Sequence, residues 1–337
     1  MKNILITGGA GFIGSHFIKQ IHNDYNVINI DKLTYCGTLK NLNKVNCCTH
    51  VEDIISDRIP DILSENKIDT VVNFAANTHV DRSISNPKEF LETDILGVFN
   101  LVYWSLKNNI KRIIHISTDE VYGPIFEAFG ENEADENSIL NPTSPYAASK
   151  AAADLLLLSY KKTYGLPLII IRPCNVYGSH QYPEKLIPFT ITRFLEGKPA
   201  ILHGNGIETR EWIHVSDCVS MIRKIMEEGE IGEIYNLGSY VRKQNINVIH
   251  AIISKMHKLG FDLPVSAITK IHNRPGNDFR YALNSLKLTR KFKYYITKKF
   301  PEGLEDIIKW YSENRDWYEN NIDISANIYL DNKDYLR

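Results

Sequence analysis

Cysteine is scarce in this sequence. Five thiols, Cys36, Cys47, Cys48, Cys174 and Cys218, are spread over 337 residues, and none forms a Cys-x-x-Cys pair. An odd count without paired spacing excludes a disulfide framework and a zinc-ribbon arrangement, and fits a reducing, cytoplasmic setting. Charge of one sign is lacking too. Lys and Arg number 39 against 40 Asp and Glu, a net charge of -1. No broad field attracts nucleic acid or anionic lipid, so an anionic ligand must be held by local groups. No apolar run approaches the ~20 residues of a spanning helix, and the first residues, Met1-Lys2-Asn3-Ile4-Leu5-Ile6, lack the apolar core and cleavage site of a secretion signal. The expectation is a soluble protein with no targeting segment. No internal repeat or low-complexity tract is present.

What is present is an alternation of short β-branched runs with helical patterns. Ile4-Leu5-Ile6-Thr7, Val27-Ile28-Asn29-Ile30-Asp31, Val51-Glu52-Asp53-Ile54, Thr70-Val71-Val72-Asn73-Phe74-Ala75-Ala76, Arg112-Ile113-Ile114-His115-Ile116 and Pro167-Leu168-Ile169-Ile170-Ile171-Arg172 read as six buried strands. Residues 87–109 read as one long helix, with Phe90, Leu91, Ile95, Val98, Phe99 and Val102 at helical spacing. The order predicts a doubly wound α/β fold around a parallel sheet. Residues 123–144 read as an acidic surface loop whose Glu131, Glu133, Asp135 and Glu136 form a solvated face. Beyond Arg172 the pattern changes to turn formers and hydrogen-bonding side chains. That predicts a coenzyme-type half over residues 1–174, a mainly substrate-binding α/β region over 175–330 whose chain crosses back to the sheet, and a tail at 331–337. From Pro301 a last amphipathic helix carries Leu304, Ile307, Ile308, Trp310 and Tyr311.

Three stretches carry chemistry. Gly8-Gly9-Ala10-Gly11-Phe12-Ile13-Gly14 follows the first strand and opens a helix. Its glycines let the backbone approach a pyrophosphate, and the helix N-terminus offers free N–H groups. A bare glycine motif is also an ordinary turn. Here Asp31 follows Gly11 by about 20 residues, where a carboxylate accepts both adenosine-ribose hydroxyls and repels a 2′-phosphate. NAD is thereby favoured over NADP. Asp53 could reach an adenine amino group or be a plain turn residue, and Ala75 and Ala76 leave room for a flat cofactor face or for close packing. His79 reads as a structural hydrogen-bonder rather than a catalyst.

Second, Thr118-Asp119-Glu120 follows the fifth strand. Ligand sites of open α/β sheets lie at the carboxyl ends of strands. Third, Tyr146 and Lys150 stand four apart at the start of a helix that Pro145 opens and that runs to about Tyr164. An ammonium beside the phenol is expected to lower its pKa towards working pH. That helix is apolar nearly all round, which predicts cover on more than one side, either within the chain or by a second subunit meeting residues 87–109. Arg210 and Arg274, from separate loops, could together clamp a diphosphate; singly, each could be a surface ion pair.

With these residues in view the sequence resembles the extended short-chain dehydrogenase/reductase family, through Gly8-x-x-Gly11-x-x-Gly14 and Tyr146-x-x-x-Lys150. Within it, Thr118-Asp119-Glu120 resembles the nucleotide-sugar 4,6-dehydratases; sugar epimerases and decarboxylases of the family lack the Asp-Glu pair. Asp31-Lys32-Leu33-Thr34-Tyr35-Cys36 and Tyr182-Pro183-Glu184-Lys185-Leu186-Ile187-Pro188 resemble dehydratase segments. The resemblance implies a Rossmann-type fold, NAD as cofactor, no metal, a nucleotide-sugar substrate and a homodimer. It implies catalytic roles for Thr118, Asp119, Glu120, Tyr146 and Lys150. It implies cofactor contacts at Gly8, Gly11, Phe12, Ile13, Gly14, Asp31, Lys32, Thr34, Asp53, Ile54, Ala75, Ala76 and Thr93, besides Tyr146 and Lys150. Substrate contacts are implied at Thr78, Thr118, Asn175, Lys185, Leu186, His203, Arg210, Asn245, Arg274 and Asn277.

Some positions depart from the bacterial dTDP-glucose pattern. Asn77 stands for a usual Glu, Val176 for an Asn, Asn277 for a His and Asp94 for an Asn. Asn175-Val176-Tyr177-Gly178 and Asn277-Asp278 look more like eukaryotic-type UDP-glucose dehydratases. The expectation is therefore 4,6-dehydration of UDP-glucose, towards rhamnose or another deoxysugar. dTDP-glucose is the alternative, with an epimerase, a decarboxylase or a non-catalytic NAD-binding sensor behind it.

Overall fold

The computed structural model describes residues 2–125 and 133–319; Glu131 of the acidic loop, residues 320–330 and the 331–337 tail lie outside them. The glycine turn joins β1 (Asn3–Thr7) to α1 (Phe12–Ile21), and β2 (Asn26–Asp31) and β3 (Cys48–Val51) follow. Next come α2 (Ile59–Glu65), β4 (Thr70–Asn73), α3 (Val80–Ser85), α4 (Pro87–Leu91), α5 (Val98–Lys107), β5 (Arg112–Ile116), α6 (Pro145–Tyr164) and β6 (Leu168–Pro173). The second half contains β7 (Asn175–Tyr177), α7 (Leu186–Leu195), β8 (Ala200–His203), β9 (Thr209–His214), α8 (Val215–Glu228), β10 (Ile234–Leu237), β11 (Arg242–Gln244), α9 (Asn245–Lys258) and β12 (Ile268–Ile271). It ends in α10 (Leu286–Phe292), α11 (Gly303–Glu313) and α12 (Arg315–Tyr318).

Seven parallel strands form the main sheet in the order β10-β6-β5-β4-β1-β2-β3. β1, β4, β5 and β6 are buried nearly throughout, because helices cover both faces of a parallel sheet and leave no polar side to alternate with. One apolar layer joins the sheet to α1 and α8 through Phe17, Ile18, Ile222 and Ile225. The other joins it to α2, α5 and α6 through Ile62, Leu101, Val102 and Leu157. A third apolar cluster, with Ile191, Ile249, Ile252 and Ile308, gathers α7, α9 and α11 away from the sheet. Among the described residues, the second half returns to the main sheet only through β10, which pairs with β6.

Three local readings differ from the structure. The single helix over 87–109 is three pieces, α4, a π-helical turn over Glu92–Gly97, and α5. Gly97 packs where a Cβ would lie 2.6 Å from the Ile54 side chain, and the widened turn carries Asp94 inward to full burial. Apolar periodicity does not register one extra residue in a turn. The acidic loop is not simply a solvated face. Glu133 pairs with Arg242 at 2.7 Å and Glu136 accepts the Asn236 N–H at 2.9 Å, whereas Asp135 caps its own turn through Asn137 and Ser138. The third strand stops at Val51, short of Asp53. α6 keeps its predicted span, with Ser144 as its N-cap and Gly165 as its left-handed stop.

Candidate active site

The carboxyl ends of β1, β4, β5 and β6 open into one cleft, and every residue assigned to a site from the sequence lines it. Its coenzyme end is built from backbone. Gly14 packs so closely that a Cβ there would lie 2.3 Å from the Gly8 carbonyl. No side chain caps α1 and no acid occupies its first turn, so its N-terminal N–H groups and positive dipole end face the cleft. Asp31, at the end of β2, accepts the Ala10 and Leu33 N–H groups, both at 2.8 Å, which locks the glycine turn against the strand. Lys32 reaches Asp53 at 2.7 Å. Phe12, Ile13, Thr34, Ile54, Ala75, Ala76 and Thr93 complete this wall. An uncapped helix end, a turn too tight for a Cβ, an acid at the ribose position and two alanines fit NAD.

At the centre, Thr118 folds the stretch after β5 into a short 3₁₀ turn. Its hydroxyl oxygen accepts the Glu120 N–H at 3.3 Å, and the hydroxyl donates to Asp119 Oδ1 at 3.3 Å. The turn is held from beneath. Tyr122 donates to Asn236 of β10 at 2.8 Å and accepts from Arg172 of β6 at 2.7 Å, while Arg172 also bonds Asp154 of α6 at 2.8 Å. The two adjacent carboxyls end in different surroundings. Asp119 is buried, and burial with the Glu120 and Glu211 charges holds its pKa well above the usual carboxylate range. One of its oxygens, Oδ2, is buried without a hydrogen-bond partner. Glu120 is also raised by burial, but Arg274, Arg210 and Lys185 pull it back. Both carboxyls are thus shifted towards the protonated form, Asp119 by burial and two acids, and Glu120 by burial against three cations.

Tyr146 and Lys150 share the inner face of α6, both buried. The pairing expected from their spacing is not the one formed. The Lys150 ammonium donates to the Ile116 carbonyl at 2.8 Å. The Tyr146 phenol is pushed well above its usual pKa by burial and by Glu120, Asp94 and Asp119, with only the Thr118 hydroxyl bond opposing. Burial comes first, and Glu120, Asp94 and Asp119 add to it; helical spacing alone does not reveal these neighbours.

At the far end, Arg210 donates to the Asp278 carbonyl at 2.8 Å and to Asn277 Oδ1 at 3.1 Å, lying over the Tyr281 ring. Arg274 reaches Asp81 at 2.8 Å. Lys185 bonds the Thr78 carbonyl, and His203 lies 3.1 Å from the His272 carbonyl. Thr78, Asn175, Leu186 and Asn245 complete the wall. His79 caps α3 and lines the cleft.

Sequence reasoning gave no role to Glu184. It is buried between Tyr35, whose hydroxyl it accepts at 2.8 Å, and Arg82 Nε at 3.0 Å; the guanidinium stacks 3.7 Å from the Tyr35 ring. This clasp joins the loop after β2 to the segment before α7. Both partners sit inside stretches already singled out, but 149 positions separate Tyr35 from Glu184, and no local pattern pairs them. Asp94 was likewise noted without a role. Among the described residues no helix is long and apolar enough to cross a membrane, and no cluster of His, Cys, Asp and Glu could hold a metal ion.

The model of the NAD dependent epimerase/dehydratase family matches residues 4–238. The dTDP-glucose 4,6-dehydratase of Neisseria meningitidis is 38% identical over 342 residues, covering 95% of this chain and 96% of the relative. A trifunctional Arabidopsis thaliana protein with UDP-glucose 4,6-dehydratase, UDP-4-keto-6-deoxy-D-glucose 3,5-epimerase and UDP-4-keto-L-rhamnose-reductase functions is 40% identical over 328 residues. That match covers 94% of this chain and 48% of that protein. The crystal structure of a dTDP-glucose 4,6-dehydratase from Streptomyces venezuelae with NAD bound superposes with a TM-score of 0.88 at 39% identity, covering 94% of this chain and 99% of that one. The relatives thus include both nucleotide types, and they support dTDP-glucose at least as well as the UDP-glucose expected from Asn277. With its parallel sheet, its glycine turn and homologues that are NAD-dependent nucleotide-sugar 4,6-dehydratases, the chain belongs to the NAD dependent epimerase/dehydratase family.

Proposed function

We propose that this chain is a hydro-lyase that converts a nucleoside-diphosphate glucose to its 4-keto-6-deoxy form. The observation that carries the reading is the Asp119–Glu120 pair, adjacent in sequence, split in environment, and facing one cleft with Tyr146 and Lys150. Water does not readily leave C6 of an intact hexose because the C5 hydrogen is not acidic; a C4 ketone makes it so. Tyr146 takes the C4 hydroxyl proton, with Thr118 bonding the same oxygen. Glu120 removes the C5 proton while Asp119 donates its own to the departing C6 hydroxyl, and Glu120 gives the proton back to C5 once hydride is returned to C6. Lys150 holds the Tyr146 end of the cleft positive. The glycine turn, α1 and Asp31 hold NAD, which supplies hydride acceptance and return, so no external reductant is consumed. Positioned acids and bases of this kind contribute roughly 10²–10⁴-fold each.

For the nucleotide, dTDP-glucose is the first substrate to offer, since it is the one named for the bacterial relatives that match over nearly their whole length. UDP-glucose is the second reading, favoured by Asn277, whose carbonyl holds Arg210 and whose amide donates to Asn273 at 2.6 Å beside the expected diphosphate site. Arg210, Arg274 and Lys185 would grip the diphosphate. The test is mass spectrometry of product from each sugar nucleotide without added reductant. Loss of one water supports the reading, and the faster substrate assigns the base. An isomer of unchanged mass would make the chain an epimerase.

The division at residue 174 into coenzyme and substrate halves, and a homodimer, belong to the same proposal. Leu91, Leu96, Phe99 and Tyr103 on one side and Leu155 and Tyr164 of α6 on the other are exposed apolar side chains, suited to a second copy. Sedimentation of a Leu155→Asp variant tests it; an unchanged sedimentation coefficient would reject α6 as the interface. The five cysteines are all unpaired, in keeping with the cytoplasm as its place.

A further inference from the structure

Beside the cleft stands a buried acid to which the mechanism above gives no role. Asp94 has no exposed surface. Its Oδ1 accepts the Asn77 N–H at 3.0 Å and its Oδ2 lies 2.8 Å from the Ser149 hydroxyl, which also lies 2.8 Å from the Tyr146 carbonyl. Ser149 stands between Tyr146 and Lys150 on α6. Asn77 leads into Thr78, whose carbonyl holds Lys185, and its side-chain amide bonds Thr93 Oγ1 at 3.2 Å. Asp94 therefore joins the loop after β4, the π-helical turn and the catalytic face of α6 at one carboxylate.

We propose that Asp94 is a positioning residue for the Tyr146–Lys150 pair, tying the Asn77 loop to α6 and, when ionised, setting a negative charge beside the pair. The proposal rests on the reading of Tyr146 as the base of the reaction. The titratable groups that face Asp94 are Lys150 and Tyr146, both from α6. The loop after β4 presents only an uncharged N–H. Glu89 and Glu92, on the preceding turns, are exposed, Glu92 pairing with Lys88 at 3.5 Å. The charge at Asp94 makes Lys150 harder to deprotonate and phenolate harder to form on Tyr146. It acts against the base form, so removing it helps Tyr146 work at lower pH.

Asp94→Asn removes the charge and keeps both links, since an amide carbonyl accepts from Asn77 and an amide N–H donates to Ser149. Asp94→Ala removes charge and links together. In pH profiles of kcat/KM, Asp94→Asn should move the acid limb to lower pH. On that limb it should run about three- to tenfold faster, relative to its own plateau, than the parent. Its plateau kcat should stay near the parent's, while Asp94→Ala loses plateau rate that Asp94→Asn retains. Profiles that superimpose for Asp94→Asn and parent would reject the electrostatic part, and equal plateaus for Asp94→Ala and parent would reject the tie. A second readout needs no turnover. Tyrosinate absorbance is titrated with and without Tyr146→Phe in each background, so that the difference reports the Tyr146 phenol. Its midpoint should fall in Asp94→Asn; an unchanged midpoint overturns the charge effect. If neither sugar nucleotide is dehydrated by the parent, the functional reading fails, and the titration still decides the role of Asp94.

Discussion

The two ends of the cleft are built on different principles. At the coenzyme end the working groups are main-chain N–H donors, missing side chains and one acid that bonds its own turn through Ala10 and Leu33. Everything needed lies within a contiguous glycine turn and the strand paired beside it. At the end proposed to take the sugar nucleotide, the groups are charges and carbonyls from remote segments that hold one another. Arg274 reaches Asp81 across 193 positions, Lys185 reaches Thr78 across 107, and Arg210 is fixed by Asp278 and Asn277. A backbone site is specified locally. A charged site is specified by a balance, and each charge added or removed shifts its neighbours.

The comparison predicts that the largest losses come from the central groups serving both ends. Tyr146→Phe should lower dehydration at least roughly 10³-fold, with no transient reduced-nicotinamide absorbance, because C4 oxidation itself fails. Observed reduced cofactor in that variant would remove Tyr146 as the base. Next, Asp119→Asn and Glu120→Gln should each cost roughly 10²–10⁴-fold in water loss. C4 oxidation should suffer far less, so reduced cofactor accumulates on mixing with substrate. Glu120→Gln should also let the Tyr146 phenol ionise at lower pH, since Glu120 is the foremost charge opposing it.

A smaller effect is expected from the clamp. Arg210→Ala loses charge-assisted bonds worth roughly 1.5–3 kcal/mol, which corresponds to a KM rise of about ten- to a hundredfold with kcat changed much less. NAD affinity, measured on the same protein, should be unaffected if the two ends are independent. A parallel loss of NAD would join them. A comparable effect is one of stability. Burial raises the Asp94 carboxyl to about 6 from 3.8, against Lys150, Ser149 and Asn77. A raised folded pKa means that Asp94 favours the fold while protonated and loses that contribution as pH rises through about 6. Asp94→Asn should therefore raise the melting temperature at pH 8, by up to about 2–3 kcal/mol in stability, and the difference from the parent should vanish near pH 4. A constant difference across that range would show that the carboxyl keeps its ordinary pKa.

Much of this was legible before any coordinates. The strands were found because a doubly covered parallel sheet needs unbroken β-branched runs, and Ile4-Leu5-Ile6 and Leu168-Ile169-Ile170-Ile171 are such runs. The glycine turn, Asp31 and the Thr118–Glu120 stretch were found because each is a short motif with a backbone reason for its spacing. Tyr146 and Lys150 lie on one helix face as their spacing predicts, but burial and the Glu120, Asp94 and Asp119 charges, which raise the phenol pKa, act through space and leave no local pattern. The long helix over 87–109 was read without its π-helical turn. Its apolar periodicity continues through Ile95 and Val98, while the close packing of Gly97 against Ile54 at the end of that turn is a contact with another segment.

The sequence by itself determined the layered α/β architecture, the coenzyme end and the identity of the central side chains, because strand periodicity, glycine conformation and helix starts are local properties of the chain. Only the tertiary structure decided which remote charges surround the two adjacent carboxyls, which partners hold Arg210, Arg274, Lys185 and Glu184, and that Asp94 stands buried beside the Tyr146–Lys150 pair. Burial and charge–charge interaction act through space, and the distances that govern them exist only once remote segments are folded together.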